Sequence, residues 1–429
     1  MAHLSPLLYF LILFAIAIVA GTFGALLGLG GGVFIVPLLT ILFQLDIRYA
    51  VGASIVSVIA TSSGSAARFV RDRMTNLRLG MFLEVATTIG AVAGAFVAAY
   101  LPVLVLFLVF GLVLLYAAVS MLRPLPEGRV EATPRHHILP VAGSFYDPAT
   151  GRTVAYDVRA LPLGFALSSV AGGVSGLLGV GGGVLKVPVM DLVMGVPIKA
   201  AAATSSFMVG VTAAASAAVY FARGDIDPFI AAPVALGVLV GTRGGTALAR
   251  RLPGGRCAAS SRSYSSSSPC RCSSKGRSVA EMERDHTQTA EAPAPDAAIH
   301  AMEALVSRVL EIGVVVSLAL LVVGSVLLFI RGTSGYGQSL HDTAQLTRPP
   351  QRGVSAAFPH SVQAVFSGAA HGRPYAVIGL GLLVLIATPV VRVAATLVGF
   401  IRAKDPPYIA ITAIVLTVLL LSFALGKAG

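Results

Sequence analysis

The chain has 429 residues, 56% of them hydrophobic and only 12% charged, with a mean hydropathy of +0.85. A soluble globular domain carries about 25% charged residues; this composition excludes one and fits a polytopic membrane protein with charge-free windows of roughly 20 residues. The net charge of +12 does not point to nucleic acid: the arginines sit between apolar runs, as in loops with positive-inside bias, and no RNA-binding motif or basic helix accompanies them.

The N-terminus, "MAHLSPLLYFLILFAIAIVAGTFG", has no Lys or Arg before its apolar run, and that run continues into a glycine motif. It is expected to be a retained first membrane helix rather than a cleaved signal. Apolar segments at about 6–28, 33–45, 49–67, 79–100 and 103–122 form a first unit, residues 1–122. Residues 123–160 hold prolines, glycines and charges of both signs, and read as a loop outside the bilayer. Segments at about 161–178, 184–196, 200–221 and 229–249 make a second unit, residues 161–253. Two of these runs, 33–45 and 184–196, are too short to cross upright. A polar stretch, 254–305, precedes three more apolar runs at about 306–330, 374–394 and 406–426, within residues 306–429.

The two units are an internal duplication. At an offset of 151, Gly28, Gly30, Gly31, Gly32 and Pro37 fall on Gly179, Gly181, Gly182, Gly183 and Pro188. In the same register Arg48 falls on Lys199, Ser54 on Ser205, and Gly90 and Gly94 on Gly241 and Gly245. Arg68, Arg71, Arg73 and Arg78 make one turn strongly basic, whereas its copy, "FARGDIDP", is not; one helix later the bias reverses. Opposite charge at matched positions predicts inverted repeats.

After "LP" the first unit continues as an apolar helix, but the second continues as "GGRCAASSRSYSSSSPCRCSSKGR". One reading is a Ser-rich loop. The other is a helix translated out of frame: with GC-rich codons, a shift of two bases from Arg256 yields "LRRLFALVLLLLAVPMLLKG". The stretch from Met282 then resembles the beginning of a separate protein. Cys257, Cys270 and Cys272 all lie in this segment, with no histidine beside them. Incidental composition is preferred to a metal site.

Three adjacent glycines interrupt a helix, and the proline that follows removes a donor. Backbone freed within hydrocarbon must be satisfied by protein or a wet cavity. Half-helices starting near Gly32 and Gly183 would aim N–H groups and a positive dipole end inward, which suits an anion. The competing reading is tight helix packing by small residues. Lys186 could add positive charge, or snorkel; Ser54, Thr204 and Ser205 could donate to oxyanion oxygens, or join helices. Glu84 could relay protons or pair with Arg78 at a membrane end; Arg48 and Lys199 mark pore mouths or helix ends. Arg392 reads as a snorkelling cation.

"SGLLGVGGGVLKVPVM" and its copy "GALLGLGGGVFIVPLL" resemble the signature of the TauE/SafE family, over about residues 6–253. The resemblance implies an all-α polytopic carrier of small, often sulfur-containing anions in the bacterial inner membrane, needing no cofactor. The chain departs from the pattern in lacking an apolar last helix in the second repeat. Residues 282–429 resemble DUF1634, a three-helix membrane family, through "VLEIGVVVSLALLVVG". The expectation is a non-enzymatic carrier with broken helices at Gly28–Pro37 and Gly179–Pro188 around a central site. It could assemble as a homo-oligomer or with an accessory membrane protein. A non-transporting membrane scaffold or inactive pseudo-transporter, fused to an accessory membrane protein, is the alternative.

Overall fold

A computed structural model describes residues 5–27, 30–122, 141, 143–147, 152–251, 297–336, 358–359 and 361–426. The serine-rich stretch with its three cysteines, its frame and the start at Met282 lie outside these residues, as does Gly28. The first repeat comprises α1 (Pro6–Leu27), α2 (Gly32–Pro37), α3 (Ile47–Arg71), α4 (Leu77–Tyr100) and α5 (Val103–Leu122). The second comprises α6 (Leu161–Leu178), α7 (Gly183–Pro188), α8 (Ile198–Ala222) and α9 (Pro228–Arg251). The C-terminal region adds α10 (Ala297–Arg331), the short α11 (Val362–Ala370), α12 (Pro374–Arg402) and α13 (Pro406–Gly426). Among the described residues, nine helices are long and apolar enough to cross a membrane. The chain is an all-α, multi-pass membrane protein.

One element departs from the expected loop. Within residues 123–160, β1 (Gly143–Asp147) pairs antiparallel with β2 (Arg152–Tyr156), Phe145 opposite Val154. The "DPATGR" between them is turn chemistry, and the flanking aromatic and β-branched residues suit a pleated edge. Asn76 ties this hairpin to the α3–α4 turn: its amide donates to Val141 O (2.9 Å) and Tyr156 Oη (3.2 Å).

Helix directions follow from close contacts. A methyl group at Gly90 would lie 2.2 Å from Ser169 O, and one at Gly94 2.0 Å from Gly173 O, so α4 and α6 run parallel. The copies behave alike: Gly241 would meet Ile18 O at 2.1 Å and Gly245 Thr22 O at 2.4 Å, making α1 and α9 parallel. In contrast, the start of α3 meets the loop after α8, where Gly52 abuts Asp225 O, while Asn76 N, just after α3, donates to Thr204 Oγ1 near the start of α8 (3.1 Å). Matched helices α3 and α8 are therefore antiparallel, and the repeats are inverted. They are also interlocked, since the first helix of each repeat packs on a helix of the other, α1 on α9 and α6 on α4. Glycines let these backbones touch, the way lipid-embedded helices associate without a hydrophobic driving force between them.

The cap positions also repeat. Asn76 Oδ1 accepts from Leu79 N (3.0 Å) ahead of α4, and Asp227, 151 residues on, accepts from Phe229 N (2.7 Å) ahead of α9. These side chains satisfy helix-start donors that have no partner within the helix.

The C-terminal helices dock on the basic turn. Arg78 Nη2 meets Asp405 Oδ2 at 2.9 Å, Arg71 and Arg73 face Glu311 and Glu303 at 3.9 Å each, and Ser307 Oγ donates to Ala67 O at 3.0 Å. The two longer pairs involve well-exposed arginines and contribute little alone.

Two outcomes test this packing. Gly176→Val would force a Cβ to 2.0 Å from Ala91 O and should destabilise the protein by about 1–3 kcal/mol, whereas Gly111→Val, with nothing within 4 Å, should leave its thermal unfolding in detergent unchanged. Burial pushes the Asp227 carboxyl up to about 7, despite the N–H groups of Phe229 and Ile230. A raised carboxyl favours folding fully below its unfolded value of about 4, and that contribution is lost as pH rises toward the folded value. Asp227→Asn should flatten the decline in unfolding temperature over that window.

Candidate functional site

The break in the second repeat is fully defined. α6 ends at Gly179, whose N–H donates to Ser175 O (2.8 Å) with φ +68°, and Gly182 at φ +69° precedes α7. In the first repeat Gly31 holds the same left-handed conformation, φ +64°, before α2. A side chain at these positions would be strained, so the glycines are required by backbone geometry. Pro37 and Pro188 do not sit in the first turn: each closes the α-helical piece, and a π-helical stretch follows at Leu38–Leu42 and Val189–Val193. Lacking an N–H and crowding the carbonyl four residues back, proline favours the wider turn. Each half-helix therefore holds six α-helical residues, which limits its dipole.

The two breaks meet. Ser54 Oγ reaches Gly179 O at 2.8 Å and Gly32 O at 3.2 Å, so one α3 hydroxyl serves carbonyls of both repeats. Val58 and its copy Val209 fill the space beside Gly30 and Gly181: a Cβ at Gly181 would lie 2.5 Å from Val58 and 2.7 Å from Val209. Ser205 is buried but its Oγ has no hydrogen-bond partner among the described residues, and Thr204, near the start of α8, accepts from Asn76 N. The structure thus gathers Gly30, Gly31, Gly32, Ser54, Gly179, Gly181, Gly182 and Gly183 at one place, with Thr204 apart from them.

Beside the second break lies a charged cluster. Lys186, on α7 and only 1% exposed, donates through Nζ to Thr212 Oγ1 on α8 (2.6 Å). Thr212 Oγ1 donates to Glu84 Oε1 on α4 (2.9 Å), and Thr88 Oγ1 reaches the same oxygen (3.2 Å). Glu84 is fully buried, and its Oε2 has no hydrogen-bond partner among the described residues. Arg392, from α12, is also fully buried; its guanidinium donates to Phe207 O and lies 4.2 Å from the centroid of the Phe207 ring.

Three expectations are corrected here. Glu84 does not pair with Arg78 at a membrane end, because Arg78 engages Asp405 while Glu84 points into the bundle. Lys186 and Arg392 do not snorkel; each finds a polar partner in the protein, which outweighs reaching for distant water. A signal for the cluster was present in the repeat. Lys186 falls on Ile35 and Glu84 on Ala235, so both charges break an otherwise matched apolar register. Arg392 has no copy to compare. A separate cleft of about 250 Å³ between α3, α9 and α10, bordered by Ser63, Arg68, Arg243 and Glu311, contains none of these glycines.

Buried charges are stable only when paired. Lys186→Met strands the Glu84 carboxylate and should cost about 3–5 kcal/mol in chemical unfolding, while adding Glu84→Gln should recover most of that loss. Additive effects of the two substitutions would show that the pair is not coupled through Thr212.

The sulfite exporter TauE/SafE family model matches residues 13–259, and the DUF1634 model, a family of unknown function, matches residues 306–424. The chain is 28% identical over 251 residues to "Probable membrane transporter protein YunE" of Bacillus subtilis (strain 168), covering 57% of this chain and 89% of that protein. It is 24% identical over 251 residues to "Probable membrane transporter protein YdhB" of the same strain, covering 58% of this chain and 91% of that protein. It is likewise 24% identical over 207 residues to "Probable membrane transporter protein MJ0441" of Methanocaldococcus jannaschii, covering 47% and 68%. No solved structure matches. The family match covers more than half of the chain, including both glycine breaks and the helices around them: the chain belongs to the TauE/SafE family of membrane transporters.

Proposed function

We propose that the chain is a carrier, not an enzyme, which moves a small sulfur-containing oxyanion such as sulfite or a sulfonate across a bacterial inner membrane. The two repeats rock about the contact between their broken helices and expose the site to each side in turn, as inverted-repeat carriers do. The observation that carries this reading is Lys186: a buried cation on the re-entrant segment directly after the second break, held by a hydroxyl. Ionisable groups at this depth are expensive, and they mark ion or substrate pathways. Lys186 supplies the attraction for the anion, and the Thr212 hydroxyl beside it supplies a hydrogen bond. The sulfur chemistry is taken from the family's description, sulfite exporter.

A non-transporting scaffold has one observation in its favour. The C-terminal helices grip both repeats, through Arg71, Arg73 and Arg78 in the first and Phe207 in the second. Such contacts would resist rocking.

Flux of radiolabelled sulfite, a sulfonate or thiosulfate into vesicles carrying the full chain separates the two. The wild type should carry at least one of them. Gly181→Val, which drives a side chain into Val58 and Val209 at φ +81°, should lower that flux by at least about tenfold while leaving membrane insertion intact. Absence of wild-type flux favours the scaffold, and unaltered flux in the variant removes the twin break from the transport path.

A further inference from the structure

The carrier reading uses Lys186 but leaves Glu84 and Arg392 unassigned. Both are fully buried, both interrupt apolar helices, and neither has its hydrogen-bonding capacity filled. Glu84 Oε1 accepts from two threonines, whereas Oε2 has no hydrogen-bond partner among the described residues. Arg392 uses Nη2 on Phe207 O, and among the described residues its Nε and Nη1 have no hydrogen-bond partner. A buried polar group left unmatched in this way calls for an explanation.

The elements around Glu84 narrow that explanation. Lys186 on α7 reaches Glu84 through Thr212, and Arg392 on α12 reaches α8 at Phe207, next to the Met208 carbonyl that lies 3.1 Å from Thr212 Oγ1. α8 brings the Thr212 hydroxyl, with Lys199 away at its exposed start, and α4 itself carries Arg78, already engaged with Asp405. α6 and α13, which also pack on α4, contain no charged residue. Two positive charges of different origin therefore converge on the stretch of α8 that holds the carboxylate. One belongs to the carrier; the other is delivered by helices that lie outside the family match at residues 13–259.

We infer that Glu84 is a proton-binding site linked to the anion site, and that Arg392, supplied by the C-terminal helices, is the fixed counter-charge that sets its proton affinity. The linkage rests on the carrier reading; the proton site does not. When Glu84 is ionised, its charge cancels that of Lys186 through Thr212. A proton taken from water onto Oε2 neutralises the carboxylate and leaves Lys186 with an unbalanced charge for an incoming anion. Release of both on the opposite side restores the starting pair. Proton and anion then move in the same direction. With Lys186 committed to the anion, Arg392 is the charge left to balance the carboxylate when the proton departs.

Infrared difference spectroscopy of the full chain in lipid vesicles, titrated between about pH 5 and pH 9, tests this without any substrate. The wild type should show a buried carboxyl band that titrates and that Glu84→Gln removes. Arg392→Gln should move the midpoint upward by about one pH unit, and Arg392→Lys, which retains the charge, should move it less. Persistence of the band in E84Q, or an unmoved midpoint in R392Q, overturns the assignment. A shift in R392K equal to that in R392Q would mean that shape rather than charge is responsible, and also overturns it. Thiosulfate keeps its charge over this range, so its uptake under an imposed proton gradient tests the linkage. Gradient-driven accumulation lost in E84Q supports it, and flux indifferent to the gradient overturns the linkage while leaving the carrier reading intact. No thiosulfate flux at any pH, alongside a titrating Glu84, counts against the carrier reading for this anion and not against the proton site.

Discussion

Main-chain groups released inside a bilayer have no water to turn to, and the architecture is organised around that constraint. A helix broken at three glycines frees carbonyl and amide groups where an unmatched one costs several kcal/mol. The chain brings the two breaks together so that each is enclosed by protein. Ser54 meets carbonyls from both repeats, and the valine pair Val58 and Val209 closes the remaining gap. The interlocking of α1 with α9 and α4 with α6 follows, because the two breaks can meet only if each repeat reaches into the other. The intrahelical glycines of α4, α6 and α9 serve that close approach, whereas those at the breaks serve backbone conformation.

The symmetry is broken where chemistry enters. Two inverted copies of one unit would present identical half-sites, yet Lys186 and Glu84 stand where the first repeat and α9 have Ile35 and Ala235. A charged pair in only one half-site gives the centre a polarity that duplication alone cannot. Its cost is moderated by Thr212, which joins an ammonium and a carboxylate in one hydrogen-bonded chain.

The C-terminal helices are more than an appendage. They seat acidic residues against the basic α3–α4 turn and insert a guanidinium beside α8. That turn, whose arginines fit a positive-inside loop, is at the same time a docking surface. One set of charges thus serves orientation and assembly, since cations gathered at a membrane edge attract whatever carboxylates pack there.

Much was legible in the sequence. The membrane class, the spans, the duplication at an offset of 151 and its inversion all follow from hydropathy, register and charge bias, because the bilayer restricts spanning segments to long apolar helices and makes their loops carry the charge. The helix breaks were equally plain, since a glycine triplet and a following proline act on the local backbone. What only the tertiary structure decided was partnership: that Glu84 faces Lys186 instead of Arg78, that Arg392 turns inward, and that Thr204 stands apart from Ser54. The hairpin at residues 143–156 belongs with these, its short strands being held in place by Asn76. A buried charge is defined by its neighbours, and those neighbours arrive from α4, α7, α8 and α12, brought together by packing between helices far apart in the chain.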